Sequence, residues 1–159
     1  MTAPVTGSEP VGAPTDGDLA TFLGLSRILL DEQHLDPGYA AECMRLVVAA
    51  APATYGSDPG RTPMQALLAT FRELATEPAD LAARTTAVLY ADGTLGPMTR
   101  NILIAWYNGF LGSEVVDAAH YGGALVWPAI SAEPPGLPGR FYGNWAYPPP
   151  QPVEPGTGS

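Results

Sequence analysis

Along the first two thirds of the chain, apolar residues recur at spacings of three and four, interrupted by short polar stretches that often open with a capping residue and a proline. Asp16 or Asp18 can cap a first segment in which Leu19, Phe22, Leu23, Leu25, Ser26, Ile28 and Leu29 follow at helical spacing. Asp36-Pro37 supplies an N-cap and a first helical residue for a second segment. This segment places Tyr39, Cys43, Leu46, Val47 and Ala50 on one face. Thr62-Pro63 repeats the device before Met64, Leu67, Leu68 and Phe71, with Leu74 a turn further on. Pro78 opens a fourth segment through Leu81, Thr85, Val88 and Leu89, stopped at Asp92-Gly93. Pro97 opens a fifth, with Ile102, Leu103, Trp106 and Phe110, ending at Gly109 to Gly112. Strand signals are confined to Val115-Val116 and to Ala124 to Trp127.

These segments predict an all-α fold: a single bundle of about five helices over residues 18–112, after a flexible lead-in over 1–17. Residues 113–150 read differently. From residue 128 onward nine of 32 residues are proline, too many for a helix or a central strand. All three tryptophans lie between Thr99 and Pro150, where Arg100, Glu114, Asp117, Glu133 and Arg140 are the only charges. We therefore expect an extended Pro/aromatic-rich strap over 113–150 and a disordered tail over 151–159. Such a strap must lie on an apolar surface, either the helical body or another protein. Trp106, on a helical stripe, reads first as core. It joins Tyr107, Tyr121, Trp127, Phe141, Tyr142 and Trp145 as candidate partner-binding residues.

Composition narrows the function. The formal charge is -9, with sixteen acids against seven arginines and no lysine. Without a basic patch there is nothing to neutralise nucleic-acid phosphates, and an anionic membrane surface is equally disfavoured. No run approaches the roughly 18 apolar residues of a membrane span. Cys43 is the only cysteine, so no intrachain disulfide forms, and its apolar context reads as a buried thiol. His34 and His120 lack the spacing of a metal-ligand pair. Ser26 in Gly-Leu-Ser-Arg lacks the glycine that follows a nucleophile at a strand–helix elbow, and a helix-borne serine is the better reading. A lysine-bearing phosphate loop is impossible, and no G-x-G-x-x-G follows a strand. We find no catalytic, cofactor-binding or metal-binding constellation.

Three stretches resemble the small subunit of membrane-bound, FAD-dependent sorbitol, fructose and glucose dehydrogenase complexes. Phe22, Leu25, Ser26, Leu29, Leu35, Asp36 and Pro37 are similar to the family's opening. Ala105, Trp106, Tyr107 and Gly109 resemble its Ala-Trp-Tyr-x-Gly signature. Tyr121, Ala124, Leu125 and Trp127, then Gly143, Trp145 and Pro148, resemble its closing pattern. The resemblance implies a non-catalytic subunit that binds, stabilises and helps mature or export a large FAD-containing subunit. It also implies a cytochrome c subunit in the same complex, and FAD in the partner rather than in this chain. A periplasmic or extracytoplasmic place follows from the same resemblance. The family's twin-arginine leader has no counterpart before Arg27, which leaves a cytoplasmic place open. The competing classes are a stand-alone small-ligand binder or enzyme with an aromatic lid, and a transient secretion chaperone.

Overall fold

A computed structural model describes residues 15–56, 60–132 and 134. Most of the expected lead-in, the tail, and Phe141, Tyr142 and Trp145 lie outside the described residues. The all-α bundle holds. Its helices are α1 (Asp16–Leu30), α2 (Pro37–Ala50), α3 (Pro63–Leu74), α4 (Leu81–Ala91) and α5 (Leu95–Asn108). A hairpin of β1 (Phe110–Leu111) and β2 (Glu114–Val115), a 3-10 turn (Tyr121–Gly123) and the short α6 (Val126–Ala129) complete it.

The cap-and-proline starts form as the residue types require. Asp36 accepts the Tyr39 amide at 2.6 Å, and Thr62 exchanges hydrogen bonds with Gln65 in a capping box. The first cap differs from expectation. Thr15 is the N-cap, and Asp18 is its reciprocal partner, so α1 starts inside the expected lead-in. Asp16 and Asp18 instead place negative charge in the first turn, where the helix dipole favours it.

α4 starts at Leu81 rather than Pro78, because Asp80 takes a left-handed conformation at φ 51° and ends a turn through Pro78. α5 starts two residues before Pro97. The Asp92 carboxylate accepts the Thr94 and Leu95 amides at 2.7 and 2.8 Å and founds the helix there. Pro97 then occupies a first-turn position, where its missing N–H would have had no intrahelical partner.

α1 and α5 sit at the centre. α1 packs on α2 and α3, α5 packs on α2 and α4, and the two touch each other. The core is Phe22 and Leu25 of α1, Tyr39, Cys43, Leu46 and Val47 of α2, Leu67 and Leu68 of α3, Leu89 of α4, and Ile102 and Trp106 of α5. Burying each large aliphatic or aromatic side chain contributes about 1.5–3 kcal/mol before ordering costs. Several stripe residues do not reach this core. Leu74 and Leu103 are half-buried, and Ala50, Val88 and Phe110 are exposed.

The segment after Gly112 is not an extended strap throughout. Glu114–Val115 pairs with Phe110–Leu111, and Ala124 to Trp127 form turn and helix rather than strand. Val116 and Ala124 are buried in the same core as the helices, so the folded body runs at least to α6. An apolar valine and alanine, placed where the chain returns across α2 and α5, bring it back.

Candidate partner-binding surface

The return is organised by the end of α5. Gly109 closes the helix at φ 73°, and its carbonyl accepts the Val116 amide at 2.9 Å. The Trp106 carbonyl accepts the Leu125 amide at 2.9 Å, fastening the segment before α6 onto the helix. Beneath it the Trp106 ring tilts at 56° against Tyr39, centroids 5.2 Å apart, and its indole N–H donates to Ser26 Oγ at 3.0 Å. The Tyr39 hydroxyl donates to the Ala105 carbonyl at 3.0 Å. Gly123 makes this approach possible, since a Cβ there would stand 2.9 Å from the Tyr39 ring.

A second fastening is ionic. Arg45 donates to the Val115 carbonyl at 2.7 Å and pairs with Glu42 at 3.1 Å and Glu114 at 3.7 Å. Glu42 also accepts the Asp117 amide at 3.0 Å. These groups are partly solvated, so each contact is worth little alone, but together they hold the hairpin against α2.

Large apolar side chains also stand exposed on the outer surface of this region. Tyr107 and Phe110 are 44% and 46% exposed, Val115 and Ile130 both 59%. Phe110 and Val115 are cross-strand partners and therefore lie side by side. Tyr121 and Trp127 pack edge to face at 5.5 Å, half-buried, with the Trp127 indole N–H on the Tyr121 carbonyl at 3.3 Å. Of the sequence candidates, Tyr107 is thus open to a partner, and Tyr121 and Trp127 present one side. Trp106 is 1% exposed and is core, which withdraws its ring from any partner surface. Sequence reasoning missed Phe110, placed on the helical stripe, and Val115. The run Phe-Leu-Gly-Ser-Glu-Val is a two-residue hairpin signature that identifies both, with Gly112 at φ 63° supplying the turn.

The interior chemistry is quiet. Burial pushes the Cys43 thiol and the Tyr39 phenol well above their ordinary ranges, keeping both neutral. Among the described residues no three His, Cys, Asp or Glu side chains gather as metal ligands. Nor is any helix there long and apolar enough to cross a membrane. An open groove of about 410 Å³ runs between α1 and α3 over Gly24, Phe71 and Arg72.

A family profile described as membrane-bound FAD-containing D-sorbitol dehydrogenase matches residues 1–133. The chain belongs to this family. No curated protein and no solved structure matches it. The family's description names FAD; among the described residues the common strand–glycine-turn–helix dinucleotide site is not formed. Dinucleotide sites of the common kind need a strand running through a glycine turn into a helix N-terminus. The strands described here are the two-residue arms of one antiparallel hairpin. In this member of the sorbitol dehydrogenase family, Tyr107, Phe110 and Val115 are among the exposed large apolar side chains and lie at and beyond the end of α5.

Proposed function

We propose that this chain is the non-catalytic small subunit of an FAD-dependent sugar or polyol dehydrogenase, binding and stabilising the FAD-containing catalytic subunit. The match to the sorbitol dehydrogenase family over residues 1–133 carries this reading. The apolar face around Tyr107 and Phe110 supports it, because exposed aromatics at the end of a rigid helix are the usual anchors of protein interfaces. In the assembled enzyme the catalytic subunit holds FAD and oxidises the substrate. This chain helps that subunit mature and reach an extracytoplasmic, membrane-associated place, where a cytochrome c subunit takes the electrons. Tyr107, Tyr121 and Trp127, continued by Phe141, Tyr142 and Trp145, form the contact. The test is expression of the catalytic subunit with and without this chain. With it, we expect higher soluble yield and flavin content, while the purified chain alone shows no flavin absorbance and no sugar oxidation. Equal yield and flavin content in both cases, or dehydrogenase activity in the isolated chain, would refute the proposal.

A further inference from the structure

We infer that the outer stripe of α5, running from Arg100 through Ile104 and Tyr107 into Phe110 and Val115, is the surface on which the FAD-containing subunit docks. On that subunit we expect a carboxylate to meet Arg100. The inference rests on the proposed function and adds the surface and the chemistry of the contact.

The inner face of α5 is spent on the core through Met98, Ile102, Ala105 and Trp106. Residues 100, 104 and 107 follow at helical spacing on the other side. There Arg100 and Tyr107 are exposed and Ile104 is half-buried. Just beyond the helix, Phe110 and its cross-strand partner Val115 are exposed side by side on the hairpin. Solvent-facing helix stripes ordinarily carry charges of both signs. In a chain of net charge -9, this one has no acid between Asp92 and Glu114.

Arg100 decides what should cover it. Among the described residues Arg45, Arg72 and Arg84 are in ion pairs, Arg27 bonds the Gln33 carbonyl and Arg61 lies over the Tyr55 ring. Arg100 is the described arginine whose guanidinium has no ion pair, hydrogen bond or ring contact. A guanidinium left unpaired at the end of an apolar stripe complements a carboxylate bordering an apolar patch, and its fork recognises that carboxylate through two parallel hydrogen bonds. A lipid surface fits less well, since anionic headgroups would meet the acids that dominate the rest of the chain.

The test is binding of the full chain to the FAD-containing subunit, comparing Arg100→Glu and Phe110→Ser with Val88→Ser, an equally exposed valine on α4. We expect Arg100→Glu and Phe110→Ser each to weaken association about tenfold or more, with Val88→Ser within about twofold of wild type. Helix content by circular dichroism should be unchanged in all three. An acid-to-arginine change on the FAD-containing subunit should restore binding to Arg100→Glu alone. If wild type binds and both variants bind equally well, the docking surface is elsewhere and the proposed function stands. If wild type does not bind, both fall. Loss of a self-association of the chain, or of binding to phosphatidylglycerol vesicles, without loss of binding to the subunit would also overturn the inference.

Discussion

Ser26→Ala removes the acceptor of the Trp106 indole N–H at a site where both residues are buried. Among the described residues no other hydrogen bond takes that donor, and the bond joins α1 to α5 across 80 residues of sequence. Leaving a buried donor unpaired costs about 1–3 kcal/mol. Alanine is the better helix former and returns about 0.5 kcal/mol. The expected net loss is about 0.5–2.5 kcal/mol, or a melting temperature lower by about 2–10 °C for a domain of this size. Thermal and urea unfolding followed by circular dichroism and tryptophan emission would measure it. Trp106→Phe removes the other partner and leaves a cavity where the larger ring was. If the bond acts as described, the double variant should lose about 1 kcal/mol less than the two single losses added together. A Ser26→Ala protein as stable as wild type, together with strictly additive losses, would refute the claim that this bond ties the two central helices.

Gly123→Ala should destabilise by about 1–3 kcal/mol in the same assays, since its Cβ would meet the immobile Tyr39 ring at 2.9 Å. Cys43 should resist thiol reagents at neutral pH in the folded chain and react once it is unfolded, because it is fully buried and burial holds its thiol protonated. The Tyr55 hydroxyl, then the Leu95 and Thr94 amides, hold the Asp92 carboxyl below the usual range. Its contribution is therefore complete above its unfolded pKa of about 3.9 and lost as pH falls through the lower folded value. Asp92→Asn should accordingly flatten the loss of stability between about pH 5 and pH 2.

The five helices were legible because local chemistry sets them. A capping side chain, a proline at the first position and an apolar stripe all act within one or two turns, and Asp36-Pro37 and Thr62-Pro63 lie where they were expected. Where two local signals competed, the sequence misled. Pro78 and Pro97 are both plausible first residues, yet Asp80 in its left-handed turn and the Asp92 carboxylate set the actual starts. The return of the chain after α5 was not legible. Val116 and Ala124 stand in short apolar runs, Val115-Val116 and Ala124 to Trp127, without helical periodicity, and they are buried in a core built mostly by helices that precede them. The same long-range packing puts Trp106 in the core and leaves Tyr107 outside. The helical stripe marked Trp106 as core, where it lies, but the aromatic-rich stretch after α5 held no periodicity to sort the inward from the outward sides of Tyr121 and Trp127.

The most direct test of the central claim is size-exclusion chromatography of this chain co-expressed with the FAD-containing dehydrogenase subunit, monitoring flavin absorbance and protein mass together. We expect one peak in which the two polypeptides co-elute in fixed ratio, carrying flavin and sugar-oxidising activity, with the chain absent from its free position. Elution of this chain alone, apart from a flavin-loaded and equally stable catalytic subunit, would contradict the account.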